Sequence, residues 1–142
     1  MIMANEKDKA TDNISRLQAQ SKDEPIASFL NMELAELSAG YAKVTMKLTE
    51  DYQNFHGLTF GGIIMALADQ AFGYASNSLA YPSVASQFNT YFIASARAGD
   101  ELTAECRVVK SGKRTGFSEV TITNQEGRLI AKATGTTIPI SQ

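Results

Sequence analysis

The residues best suited to chemistry lie between Asn54 and Gly62 and in the apolar segment that follows, which carries Asp69. Gly61 and Gly62 stand where this apolar segment begins. If the segment is a helix, its first amide N–H groups have no partner within the helix and can bind a carbonyl oxygen or an oxyanion. Because glycine has no side chain, a ligand can approach these groups closely. The stretch therefore predicts a site that polarises a carbonyl group.

Asp69 is the charged residue of a segment, Gly61 to Ser78, that is apolar on nearly every side. This pattern predicts a long helix buried all round, where a lone carboxylate costs several kcal/mol unless it is paired, solvated or protonated. Two interpretations of Asp69 remain open: a catalytic carboxylate facing a groove, or a structural one that bonds a nearby Ser, Asn or backbone group. Helical spacing places it on one stripe with Gly62, Met65, Gly73 and Ser76.

The spacing of the two candidate groups indicates more than one subunit. Suppose that the N–H of Gly61 binds a carbonyl group and that Asp69 attacks this group or activates water against it. Both residues must then lie within about 3 Å of the same small group. Eight residues of helix separate them by about 12 Å along the axis. Two helices packed antiparallel about a twofold axis would bring Gly61 of one subunit opposite Asp69 of the other. We therefore expect a homodimer at minimum.

Several other chemistries are disfavoured by composition. His56 is the only histidine and Cys106 the only cysteine, so we expect no metal site and no supported serine or cysteine triad. Cys106 lies in an alternating run that favours a buried apolar position over a nucleophile. A net charge of −2 argues against nucleic acid as a partner. A single cysteine, with no membrane-spanning or signal segment apparent, indicates a cytoplasmic protein.

The elements that must position these residues follow from alternation and turn signals. Strands are expected at residues 32–37, 41–48, 84–93, 101–109, 117–124 and 128–138, with a hairpin turn at Ala39-Gly40. Pro25 begins a short helical segment from Ile26 to Leu30. Residues 1–24 form a polar tail or a frayed helix, and residues 25–142 the folded domain. The fold class is α+β, with an antiparallel six-stranded sheet wrapped around the long helix.

The run NFHGLTFGGIIMALADQAFGYASNS resembles the PaaI-like (phenylacetic-acid-degradation type) hotdog-fold acyl-CoA thioesterases, and the order of strands matches that family from about Pro25 to Ile140. The resemblance implies hydrolysis of acyl-CoA thioesters, with aromatic or medium-chain acyl groups as candidates. It implies that Asp69 is the nucleophile or general base, that Gly61 polarises the carbonyl through its N–H, and that Asn54 orients substrate, water or the carboxylate. It implies no metal or redox cofactor.

One position departs from the family pattern. The family histidine that precedes the two glycines is Phe60 here, and phenylalanine cannot donate a hydrogen bond to a carbonyl. His56 either reaches the substrate or only structures its loop. Phe60 would then line an acyl pocket, beside Gly62. Ser86 lies near the place where some relatives have a hydroxyl that positions water, although packing alone also accounts for a serine in a strand.

The resemblance also concerns partners. Lys110, Lys113 and Arg114 flank a turn and are candidates for contact with CoA phosphates, against a merely solvated turn. Dimers of the family commonly pair, so a homotetramer is expected. Because Phe60 replaces the histidine, a non-catalytic protein that binds acyl-CoA or an aromatic acid remains an alternative. A hotdog hydratase or dehydratase is a third possibility, although its usual pairing of acid and histidine is not found.

Overall fold

The structure is a computed structural model that describes residues 2–140. Its elements follow the chain as helices and strands of very different lengths. The helices are α1 (Ile2–Ser21), α2 (Pro25–Phe29) and α3 (Gly61–Leu79), with a short 3-10 turn at Glu50–Tyr52 before α3. The strands are β1 (Met32–Ser38), β2 (Tyr41–Lys47), β3 (Ser83–Phe92), β4 (Glu101–Ser111), β5 (Gly116–Thr123) and β6 (Leu129–Pro139).

The six strands form one antiparallel sheet in the order β1-β2-β4-β5-β6-β3. α3 packs against one face of this sheet and contacts all six strands. The period-two alternation of the strands explains the packing, since on β2 Ala42, Val44 and Met46 are buried and the residues between them are not. The expected α+β fold, an antiparallel sheet around a long helix, is confirmed.

The turn predicted at Ala39-Gly40 joins β1 and β2, and Gly40 has a φ of +74°. Side chains other than those of glycine, asparagine and aspartate rarely adopt this left-handed conformation, so the glycine allows the tight connection. β3 follows α3 directly and lies at the far edge of the sheet, paired only with β6. Its other edge is free for a further strand.

The long helix is not buried on all sides in the single chain, so that prediction was wrong. Leu67, Ala71 and Phe72 are completely or almost completely buried against the sheet, but Met65 and Asp69 on the opposite side are exposed. Ser76, expected on the same stripe as Asp69, is buried. The apolar pattern therefore includes a face that the chain's own sheet does not cover.

The N-terminal segment, for which the sequence left a tail or a frayed helix open, is helix α1 and packs on α3 and β1. Leu17 is buried in the core. The Asn13 side chain donates to the carbonyl of Ser78 at 3.3 Å, and the Arg16 guanidinium lies 4.4 Å from the centre of the Tyr81 ring. A few contacts of α1 thus fix a largely polar helix across the outer side of α3.

Cys106 is fully buried on β4, in agreement with its interpretation as an apolar filler. Burial raises the pKa of its thiol to about 12, although a hydrogen bond with Ser118 acts in the opposite direction. None of the helices described has the length and apolarity needed to cross a membrane.

Candidate active site

The loop before α3 is held by the side chain of Asn54. Its Oδ1 atom accepts hydrogen bonds from the backbone N–H groups of His56, at 2.9 Å, and Leu58, at 3.3 Å. Its backbone N–H donates to the carbonyl of Leu58 at 2.7 Å. Because two donors fix the oxygen, the amide orientation is defined and the Nδ2 group remains a donor. Asn54 is thus a partly buried residue whose amide can orient a second group.

Gly61 is the first residue of α3, and no side chain caps this end of the helix. Its N–H is one of the first amide groups of the helix, which have no acceptor within it. An added Cβ at Gly61 would lie 3.2 Å from Cζ of Phe92, and one at Gly62 would lie 2.7 Å from Cε2 of Phe60. The two glycines therefore admit two aromatic rings against the start of the helix.

A cleft of about 330 Å³ opens beside this helix terminus. Asn54 and Gly61 both line it, so the fold brings these two residues together. Its other walls are largely apolar and come from Leu58, Thr59, Ile64 and the segment from Phe92 to Ala96. The cleft combines a helix N-terminus with an amide donor in apolar surroundings, as expected for a site that polarises a carbonyl group.

Asp69 does not line this cleft. It lies eight residues into α3, about 12 Å along the axis from Gly61, and projects from the exposed side of the helix. Gly73, one turn further along the same side, has no side chain that could cover the carboxyl, and Gly62, two turns earlier, lies under the Phe60 ring. A single chain therefore separates the two groups, as the spacing of the sequence predicts.

Within residues 2–140, no hydrogen bond or ion pair to the Asp69 carboxylate is found. Nearby protein atoms remove part of its water, and this desolvation raises the pKa of the carboxyl above its ordinary value of 3.8. The structural interpretation, in which a Ser, Asn or backbone group holds Asp69, gains no support.

The other predicted substrate-binding residues are distributed more widely. His56 is exposed at the tip of the loop, where its ring lies 4.2 Å from that of Phe55, and it does not line the cleft. Phe60 is also exposed, with its ring over Gly62. Ser86 is exposed on the edge strand β3, and its hydroxyl donates to the carbonyl of Thr136 at 3.3 Å.

Lys110, Lys113 and Arg114 are exposed at the β4–β5 turn. Lys110 lines a small cavity together with Ser76, which places this turn near the carboxyl end of α3. Gly61 lies fifteen residues earlier on the helix, about 22 Å away along its axis. Within one chain, then, the candidate CoA-binding residues and the Gly61 cleft lie at opposite ends of α3.

The sequence did not reveal the wall of the cleft formed by Phe92, Ile93 and Ala94. Phe92 is the last residue of the edge strand β3, and Ile93 and Ala94 follow it, all far from Gly61 in sequence. An aromatic and branched cluster at a strand end was the only available signal, and it fits ordinary core packing equally well. The contact between Phe92 and Gly61 forms only because the sheet topology places the end of the edge strand β3 beside the start of α3.

The antiparallel sheet around a long helix that begins with two glycines defines a hotdog-fold protein. The family model "Thioesterase superfamily" matches residues 56–131, more than half of the chain, which therefore belongs to this family. Acyl-coenzyme A thioesterase PaaI of Escherichia coli (strain K12) is 36% identical over 113 residues, covering 80% of this chain and 81% of that protein.

Solved structures agree with this assignment. The structure of the E. coli PaaI protein from the phenylacetic acid degradation operon matches with a TM-score of 0.87 and 34% identity, covering 96% of each chain. The protein smu.793 of Streptococcus mutans UA159, solved with acetyl CoA bound, matches with a TM-score of 0.77 and 32% identity, covering 80% of this chain and 92% of that one. The resemblance to PaaI-like hotdog thioesterases is thus confirmed.

Proposed function

We propose that this protein hydrolyses acyl-CoA thioesters at two equivalent sites, each shared between two subunits. One subunit contributes the Gly61 N–H and Asn54, and the other contributes Asp69. The observation that carries the proposal is the 12 Å axial separation of Gly61 and Asp69, each on an accessible surface of the same helix. The E. coli and S. mutans relatives, by their names, respectively act on and bind the same class of compound.

The edge strand β3 is the surface we propose for dimerisation. Its outer edge is unpaired in the sheet, and exposed apolar side chains lie at its end and directly after it: Tyr91, Phe92 and Ile93. A long apolar edge strand is a ready template for another strand. Antiparallel pairing of two β3 edges about a twofold axis places the two α3 helices side by side with their exposed faces together.

In this arrangement the Gly61 N–H donates to the thioester carbonyl oxygen and stabilises the negative charge that develops on it. The partner's Asp69 carboxylate takes a proton from water that attacks the carbonyl carbon, and the thiolate of CoA leaves with the proton. Alternatively the carboxylate attacks the carbon itself, the thiolate leaves, and water then hydrolyses the mixed anhydride on Asp69. The Nδ2 group of Asn54 orients the water or the carboxylate. Apolar walls around Phe92 exclude bulk water and strengthen these electrostatic interactions.

Mixing two inactive variants tests the shared site directly. Asp69→Asn removes the carboxylate, and Gly61→Val crowds the oxyanion donor against Phe92. Each homodimer should lose the release of CoA thiol, by roughly 10² to 10⁴-fold for Asp69→Asn. Unfolding the two variants together and refolding them should restore about a quarter of the parental rate, because half of the dimers then carry one intact site. No restored activity in folded mixed dimers contradicts the proposal.

A further association, of dimers into a tetramer, has a candidate surface on the outer face of the sheet. Val84 and Ile138 are paired across β3 and β6, and both are exposed. Phe117 and Val109 add exposed apolar surface on β5 and β4. Such a patch is typical of an interface between proteins. The buried free thiol of Cys106 is in keeping with a reducing compartment, and we propose the cytoplasm as the place of work.

Phe60 favours one alternative function, the binding of acyl-CoA without hydrolysis. The ring stands where the family pattern has a hydrogen-bonding histidine, and it cannot polarise a carbonyl. Calorimetry and a thiol-release assay on the same acyl-CoA preparation distinguish the two functions. Heat of binding accompanied by release of CoA supports hydrolysis, whereas binding without release supports the alternative.

A further inference from the structure

A larger cavity, of about 760 Å³, lies between α1, α2 and α3. This volume falls within the roughly 300–1,000 Å³ of typical small-molecule sites. Its walls combine apolar and aromatic surface with polar side chains, among them Leu17, Gln20, Glu24, Gln70, Tyr74 and Tyr81. The N-terminal segment, expected to be a tail or a frayed helix, thus forms one wall of this cavity.

The cavity lies next to the candidate catalytic carboxylate. Gln70 and Gly73 line it, and they follow Asp69 by one and four residues on α3, within about 6 Å along the helix axis. Apart from the neighbouring residues and the backbone of its own helical turns, no described atom lies within 4 Å of the position that a Cβ on Gly73 would occupy. Gly73 therefore adds no side chain between the Asp69 side of α3 and the cavity.

Glu24 is held in the wall of this cavity by two donors. The Tyr74 hydroxyl donates to its Oε1 atom at 2.7 Å, and Nε2 of Gln70 donates to the same atom. The residue is partly buried between the end of α1 and the start of α2. These bonds fix one carboxylate oxygen and leave the other, Oε2, as an acceptor.

The polar groups of the cavity offer more acceptors than donors. The Tyr74 hydroxyl and one N–H of Gln70 are used on Glu24, and one N–H of Gln20 donates to the Tyr81 hydroxyl at 3.3 Å. Each of the two amide nitrogens keeps a second N–H and the Tyr81 hydroxyl can still donate, whereas the remaining acceptors are Oε2 of Glu24, the Asp23 carboxylate and the side-chain oxygens of Gln20 and Gln70. A ligand group that brings a donor matches this wall best.

Charge acts in the same direction. Asp23 and Glu24 are carboxylates, and the lining residues include no lysine or arginine. Two cations lie close to lining residues but outside the lining: Arg16 rests on the Tyr81 ring, and Lys22 lines a separate cavity that Glu24 also borders. An anionic group placed in the cavity would therefore meet like charge without a partner, which is costly in a partly desolvated site.

Resting on the proposed function, we propose that this cavity receives the acyl group of the substrate and that Glu24 is a specificity-determining residue. It selects acyl groups whose far end carries a hydrogen-bond donor, such as a hydroxyl or an ammonium, and it disfavours acyl groups that end in a carboxylate. The subunit that supplies Asp69 thereby also determines the specificity for the acyl group.

Three CoA esters of equal chain length test the inference: hexanoyl-CoA, ω-hydroxyhexanoyl-CoA and adipoyl-CoA. We expect the parent to hydrolyse the hydroxylated ester with a kcat/KM at least about tenfold above that for adipoyl-CoA. Glu24→Gln removes the charge and keeps the shape, so this ratio should fall towards one. Glu126→Gln, which removes one exposed charge at the β5–β6 turn, is the matched control and should leave the ratio unchanged.

A second variant keeps the test independent of how well Glu24→Gln folds. Gly73→Leu places a side chain in open space and should reduce hydrolysis of hexanoyl-CoA much more than that of acetyl-CoA. If the parent hydrolyses the esters, but Glu24→Gln leaves the ratio of hydroxyhexanoyl-CoA to adipoyl-CoA hydrolysis unchanged and Gly73→Leu leaves the ratio of hexanoyl-CoA to acetyl-CoA hydrolysis unchanged, this inference alone is overturned. No hydrolysis of any ester by the parent overturns the proposed function, and this inference falls with it.

Discussion

The ring of Phe92 lies against Gly61, so close that an added Cβ on Gly61 would come within 3.2 Å of Phe92 Cζ. The contact joins the edge strand β3 to the amino end of α3, where the carbonyl-binding N–H is proposed. Because β3 is also the proposed dimer edge, the strand proposed to pair the subunits also contacts the proposed oxyanion donor.

Replacing Gly61 by alanine should displace this ring and with it the donor. We expect the free energy of unfolding to fall by about 1 kcal/mol, through overpacking, and kcat/KM by about tenfold. The double variant Gly61→Ala with Phe92→Leu makes room for the new methyl group and should regain part of both losses. Denaturant unfolding and thiol release measure the two effects. Equal activity of Gly61→Ala and the parent would contradict the proposed role of this contact.

Asp69 predicts how activity depends on pH. As nucleophile or general base it must be ionised, and desolvation raises its pKa, so hydrolysis should fall as the pH is lowered through a value above 3.8. The raised pKa also means that the folded protein carries an unfavourable charge at neutral pH. Asp69→Asn should therefore raise the melting temperature at neutral pH, and this gain should vanish as the pH falls towards 3.8.

That change in stability separates the catalytic from the structural interpretation of Asp69. A carboxylate that held the packing together would stabilise the fold, and its replacement by asparagine would lower the melting temperature. Calorimetric scans of the parent and Asp69→Asn at several pH values show whether the substitution raises or lowers the melting temperature. The comparison needs only the folded variant, so it does not depend on finding the preferred substrate.

Phe60→His should raise kcat by about tenfold, since an imidazole N–H can assist the carbonyl that Gly61 polarises. The smaller ring can take the place of the phenylalanine over Gly62. Phe60→Leu is the control because it also removes the aromatic ring but adds no donor. If histidine and leucine change the rate of thiol release equally, position 60 contributes shape and not hydrogen bonding.

Charges placed on the two exposed apolar surfaces should have different effects on assembly. Met65 is 38% exposed beside Asp69 on α3, and Met65→Glu should give folded monomers without activity. Val109 is 59% exposed on the outer sheet face, and Val109→Glu should give active dimers that do not form tetramers. Light scattering measures the oligomeric state of each variant, and a thiol-release assay on the same purified sample measures its activity. An active monomer of the Met65 variant would contradict the shared site.

Much of the fold follows from local patterns in the sequence. Alternation defined β2, turn signals such as Ala39-Gly40 separated the strands, and the continuous apolar run defined α3. The spacing between Gly61 and Asp69 was sufficient to predict that one chain cannot complete the site. These inferences need only the period of a helix or strand and the chemistry of a few residues.

What the sequence could not supply concerns contacts between distant segments. An apolar helix face looks the same whether its own sheet or a second subunit covers it, so the exposure of Met65 was not foreseen and that of Asp69 was only one of two interpretations. The composition around Leu17 is polar, and nothing local shows that α1 packs on α3. The bonds of Glu24 with Tyr74 and Gln70 join residues about fifty positions apart, and no sequence period encodes them.

The burial of Cys106 has a practical consequence for every experiment that detects released CoA with a disulfide reagent. A thiol that is fully enclosed, with its pKa raised to about 12, stays protonated and out of reach of the reagent. The native enzyme should give almost no background colour. Labelling of this one sulfur on heating or in urea would then report the loss of the folded state in the same cuvette.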